Sequence, residues 1–119
     1  FKTVTMREWD NFFWWIETEG MPERCMVNPR LWPPDRGVVP AQIEARLLST
    51  NGVYVKTSAQ RVRVWLSPEM VDFEKPINVS VAGRRLGSGS RFIKPNLQTI
   101  LEDVRTRGDR QHPFWVVLE

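Results

Sequence analysis

The sequence predicts a mainly β fold of the α+β kind: a small antiparallel β-sandwich or curled sheet, with an aromatic helix at the start and a second helix near the end. Three observations carry that expectation. From Gln42 to Val81 apolar and polar residues alternate with period two in several short runs, as half-buried antiparallel strands do. Asn51-Gly52 and Ala82-Gly83 interrupt those runs where a chain can reverse. Around Met6–Ile16 and again after Asn96 the apolar spacing lengthens to that of a helix. A chain of 119 residues, 41% hydrophobic, suits one globular unit with its own core. It is too short for a TIM barrel or a full-size hydrolase, and too apolar for a disordered segment.

The first segment, 1–20, reads as an aromatic helix. Met6, Trp9, Phe13 and Ile16 follow helical spacing, Thr5 and Glu8 have the spacing of a capping box, and Gly20 with Pro22 supplies the stop. Phe12, Phe13, Trp14, Trp15 and Ile16 are consecutive, so the last turns would be apolar on every side. Such a helix is either wholly enclosed by its own domain or covered by another domain or subunit. The run is far shorter than the roughly 20 residues of a membrane span. The sequence opens on Phe1 with no leader-like pattern, and is expected to be part of a longer protein.

Residues 21–41 form a proline-rich connector. Pro22, Pro29, Pro33, Pro34 and Pro40 remove backbone donors and push their predecessors toward extended geometry. Met26, Val27, Leu31 and Trp32 are interleaved with them, so the connector should pack along a surface. Residues 42–119 then form the antiparallel β-domain. Ile43, Ala45 and Leu47 face inward before Asn51-Gly52, and Val53 and Val55 after it; Val62, Val64 and Leu66 alternate with Arg61, Arg63 and Trp65. A loop from Pro68 to Pro76 leads to the inward row Ile77, Val79, Val81 and a return strand near Arg84–Leu86. Asn96 caps a helix over 96–107, whose apolar face is Leu97, Ile100, Leu101 and Val104 and whose stop is Gly108. A last strand runs from Pro113 to Leu118.

Chemistry-bearing residues are sparse. Net charge is +3, with seven basic and seven acidic residues in 1–59 and ten and seven in 60–119. So small and interspersed an excess points to a solvated surface, and no nucleic-acid partner is expected. His112 is the one histidine and Cys25 the one cysteine, which gives neither a metal cluster nor an internal disulfide; no cofactor is expected. Ser88 and Ser90 lie in a Gly-Ser stretch without the strand-turn-helix setting of a nucleophile elbow. An enzyme built on His112, Ser88 and Cys25 is the weakest reading. Asn78-Val79-Ser80 matches a glycosylation acceptor but falls within a strand. Arg61, Arg63 and Trp65 share one strand face. With Arg84 and Arg85 they could hold a carbohydrate or an anionic polymer. Otherwise they are neutralised by Glu44 or by acids of the 68–76 loop.

Several stretches resemble a known protein type. Trp65-Leu66-Ser67-Pro68-Glu69-Met70, Pro76-Ile77-Asn78-Val79, and Leu101 through Gln111 with Arg107-Gly108-Asp109-Arg110, in order after Trp14-Trp15 and Trp32-Pro33-Pro34, resemble the C-terminal region of bacterial secreted α/β-hydrolases of the prolyl oligopeptidase and dienelactone hydrolase kind. The resemblance covers nearly the whole chain. It implies a non-catalytic accessory domain of a serine hydrolase, secreted or periplasmic, with the catalytic residues upstream of Phe1 and His112 outside the triad. Its partners would be the catalytic domain or a second copy, met through Phe12, Trp14 and Trp15; the alternative is the autonomous binding module using Arg61, Arg63 and Trp65.

Overall fold

Alternation decides this fold, including in places where the helical period also fitted. A computed structural model of the chain describes residues 1–7, 11–28, 30, 31, 33, 36–87 and 91–119. Its strands are β1 (Lys2–Thr5), β2 (Phe12–Phe13), β3 (Ile16–Glu19), β4 (Ala41–Leu48), β5 (Gly52–Thr57), β6 (Arg61–Leu66), β7 (Asn78–Val81), β8 (Arg84–Arg85) and β9 (Val116–Leu118); one α-helix, α1, spans Leu97–Arg107. They form two sheets, ordered β1-β4-β5-β7-β8 and β2-β3-β6-β9. All neighbours are antiparallel except β5 and β7. That parallel pair exists because the chain leaves the first sheet after β5, runs through β6 in the second, and returns by the 67–77 loop; parallel neighbours always need such a crossover.

The sheets meet over a β-branched core. Ile43, Ala45, Val53, Val55 and Val79 from the first sheet join Ile16, Val62, Val64, Leu66 and Val116 from the second, and Val71 and Ile77 of the crossover close one end. Mainly β, with two facing sheets and a helix near the C-terminus, is the architecture the alternation called for.

The N-terminal aromatic helix is not formed. Described residues of 1–20 supply β1 and the hairpin β2–β3, while Glu8, Trp9 and Asp10 lie outside the described residues. The physical reason lies in Ile16-Glu17-Thr18-Glu19. As a strand it buries Ile16 and Thr18 and leaves the two glutamates outside, paired with Val64, Arg63, Val62 and Arg61 of β6. A helix would have forced aromatic rings onto every side, and sheet pairing of aromatic and β-branched residues overrides the weak helical spacing. Segment 1–20 contributes to both sheets: β1 extends one and β2–β3 the other.

Turn chemistry follows local sequence. Leu48 pairs with Gly52, so the turn is the three residues Ser49–Asn51, with Asn51 at φ 57 in the left-handed region that asparagine tolerates. Ala82 and Gly83 are both left-handed and join β7 to β8. Gly20 is required: a side chain there would sit 2.9 Å from Gln60, whose backbone N–H donates to the Gly20 carbonyl. Among its described residues the connector holds one 3-10 turn, Glu23–Cys25, and Val27 N–H donates to Met6 O, tying it to the end of β1. Pro29, Trp32, Pro34 and Asp35 lie outside the described residues.

Helix α1 starts and stops as its caps require. Asn96 Oδ1 accepts from Thr99 N–H, and Gly108, at φ 72, donates to Val104 O. Its expected apolar face differs: Ile100 and Val104 are half-buried, but Leu97 is 69% and Leu101 61% exposed. The helix is held instead by Asp103, which is only 3% exposed. Both its carboxylate oxygens take the Arg107 guanidinium, at 2.6 and 2.7 Å, and Oδ2 also accepts Phe114 N–H at 2.9 Å. The guanidinium carbon lies 4.5 Å from the Phe114 ring centre. Asp103→Ala should cost about 2–3 kcal/mol in urea unfolding, less than a fully buried pair because Arg107 is partly solvated; a loss under about 0.5 kcal/mol would refute the anchoring role.

Candidate functional site

The residues singled out from the sequence fall into two surfaces. Phe12, Trp14 and Trp15 sit on the β2–β3 hairpin, where Trp14 and Trp15 are the two turn residues between paired Phe13 and Ile16. They are unequal. Trp15 is half-buried and packs on the core, whereas Phe12 is 44% and Trp14 69% exposed. Trp14 adopts φ 54, a left-handed conformation that costs a bulky side chain about 1–2 kcal/mol. Phe1 braces the pair: its ring meets Trp14 edge-on at 4.3 Å and Trp15 at 5.3 Å between centroids. Beside them, Phe1, Lys2, Thr3, Phe12, Phe13 and Trp14 line a cavity of about 320 Å³. The sequence carries no clear strand signal at Phe1 and β1, because Thr5 and Glu8 have the spacing of a helix capping box.

Arg61, Arg63 and Trp65 do share the outer face of β6. Their partners are not Glu44, which pairs with Arg46, nor the 68–76 acids, but carboxylates of β3 and the chain end. Arg63 donates to Glu17 at 3.0 Å and Glu119 at 3.4 Å, Arg61 to Glu19 at 3.4 Å and to Glu119, and Trp65 Nε1–H to Glu17 Oε2 at 3.2 Å. The Glu119 hydrogen bond, followed by the Glu17 charge, raises the Arg63 pKa; hydrogen bonds from Arg61 and then Arg63 lower that of Glu119. Two guanidiniums are thus answered by three carboxylates, each exposed pair worth about 0–1 kcal/mol. The missed signal was the period-two placement of Glu17 and Glu19, legible only once 16–19 is a strand.

The remaining candidates are scattered. Cys25 is buried at the end of the connector's 3-10 turn, and Ser88 and Ser90 lie outside the described residues. Asn78 opens β7, exposed. His112 meets Glu69 through Nδ1, pinning the α1–β9 connection to the crossover loop, whose other side is held by Asn51 hydrogen bonds to Asp72 and Pro76. That loop borders an open cleft of about 930 Å³ that also includes Leu48, Met70, Phe73 and Trp115. Among the described residues no group of three or more metal-type ligands converges, and no helix is long and apolar enough to cross a membrane.

The hydrogen bond that the protonated His112 ring donates to the Glu69 carboxylate, and then the charge of Glu69, raise the His112 pKa above its ordinary 6.5. With the folded value above the unfolded one, the pair stabilises the fold below about pH 6.5 and loses that contribution as pH rises through the folded pKa. NMR titration should therefore place His112 above 6.5, and Glu69→Gln should return it toward 6.5. A wild-type value at or below 6.5 would show that the contact does not persist in solution.

Searches of protein-family models, curated proteins and solved structures find no match to this chain.

Proposed function

We propose that the chain is a non-catalytic accessory β-sandwich that docks, through its β2–β3 hairpin tip, onto the catalytic domain of a secreted serine hydrolase or onto a second copy. The observation that carries this is Trp14: a large indole, 69% exposed, held at a backbone angle that glycine or asparagine would adopt without strain. Stability alone would not keep a tryptophan there. Phe1 and exposed Phe12 extend the apolar surface around it, a composition typical of docking surfaces. The hydrolase itself is implied by the sequence resemblance. The alternative, a module gripping sugars or polyanions through Arg61, Arg63 and Trp65, is weakened by the carboxylates that already satisfy those groups.

Two outcomes test the reading. The coding sequence preceding Phe1 is expected to encode an α/β-hydrolase domain; a start codon adjacent to Phe1 would remove the hydrolase. Trp14→Gly is expected to change stability by no more than about 1 kcal/mol, because relieved backbone strain offsets the lost Phe1 contact. It should nevertheless abolish binding of the isolated domain to that catalytic domain in calorimetry. Unchanged binding would exclude the hairpin tip.

A further inference from the structure

The docking surface has a backbone component as well as aromatic rings. Phe1 exchanges two hydrogen bonds with Ala45, its amino group donating to Ala45 O and Ala45 N–H donating to Phe1 O at 2.7 Å. Antiparallel ladders alternate, so Phe1, Thr3 and Thr5 direct their backbone groups toward β4, whereas Lys2 and Val4 direct theirs away from it. Among the described residues no strand pairs on that outer side, because β1 ends its sheet. The edge is therefore a short row of donors and acceptors, and the aromatic cavity opens directly alongside it at Phe1–Thr3. Natural edges are usually kept short, charged, covered or broken by a bulge or proline; β1 is short and carries Lys2, but it has no proline, and among the described residues the connector meets it only beyond its end, at Met6 O.

We infer that this edge receives an extended peptide strand from the docking partner, with one large apolar side chain seated in the Phe1/Phe12/Trp14 cavity and a carboxylate beside Lys2. The inference rests on the docking reading and names the form the partner takes. Period-two geometry sets the pattern. Residues of an added antiparallel strand opposite Lys2 and Val4 exchange backbone hydrogen bonds with them and project their side chains to the outer face. The residue between them lies opposite Thr3 and projects toward the cavity. Charge selects the outer residues: Lys2 is exposed and lies opposite Glu44 in the β1–β4 ladder, but Glu44 is taken by Arg46 and no ion pair to Lys2 forms among the described residues, so an acidic residue on the open side complements it. A second copy paired about Thr3 would bring its own Lys2 into diagonal contact with this one, which disfavours self-pairing. The cavity, at about 320 Å³, holds a leucine- or phenylalanine-sized side chain.

The probe is a blocked peptide, Thr-Val-Leu-Glu-Thr, titrated against the full chain while the exposed indole fluorescence is followed. Saturable binding is expected. Val4→Pro should weaken it by at least about tenfold, because it removes an outward N–H and leaves every β1–β4 bond in place. Circular dichroism checks that this variant folds. A peptide N-methylated at its valine and glutamate makes the same test without altering the protein and should also lose about tenfold. Lys2→Glu should reverse the preference toward a peptide carrying lysine in place of glutamate. No saturation by about 1 mM peptide, or equal binding of the N-methylated form, overturns strand addition. Concentration-dependent dimers that Val4→Pro disperses overturn it in favour of a second copy. If the catalytic domain still binds Val4→Pro but not Trp14→Gly, docking survives and strand addition fails; if the peptide binds and the catalytic domain does not, the hydrolase assignment fails instead.

Discussion

Everything in this molecule rests on the zipper of aliphatic side chains, most of them β-branched, between the two sheets. Ile43, Val53, Val55 and Val79 press from one side and Ile16, Val64 and Leu66 from the other, most of them wholly removed from water. Burying each such side chain contributes about 1.5–3 kcal/mol before chain entropy is counted. With one cysteine and no metal cluster among the described residues, this packing has no covalent or metal staple to assist it. The zipper also explains why 1–20 is not a helix. Ile16, beside Val64 on an inner strand of the second sheet, sits in the shared core, a place that a helix laid over the surface could not have filled.

Strands were legible from the sequence wherever one face alone is buried. Arg61–Leu66 and Ile77–Val81 show clean alternation, and their inward rows are those found in the core. The late helix was legible through its caps, Asn96 and Gly108. Its orientation was not, because the anchor is a carboxylate: Asp103 turns inward to meet Arg107 and Phe114 N–H, carrying Leu97 and Leu101 outward. Periodicity counts apolar residues and is blind to a buried ion pair. The hairpin at Phe12–Glu19 was obscured for a different reason. Phe12, Phe13, Trp14, Trp15 and Ile16 carry no alternation of their own, and a two-residue turn filled by tryptophans lacks the glycine or asparagine that marks such turns.

The two candidate surfaces differ in how completely the molecule satisfies them. On β6 the guanidiniums, the indole N–H and the carboxylates of β3 answer one another, so the face is closed electrically. At the hairpin tip Phe1 is the one aromatic ring stacked on Trp14 among the described residues, and there no strand pairs with the outer side of Lys2–Val4. Apolar area and the outward backbone groups of Lys2 and Val4 thus coincide at one corner, whereas the arginine face is already paired.

Because the first nineteen residues feed both layers, β1 into one and β3 into the other, they act as a rivet through the sandwich. Tension applied at Phe1 would load the β1–β4 ladder first, and only after its rupture would the pull reach β3 against β6. A fold so laced resists being peeled layer from layer, and an attached neighbour could tug on this corner without prising the two sheets apart.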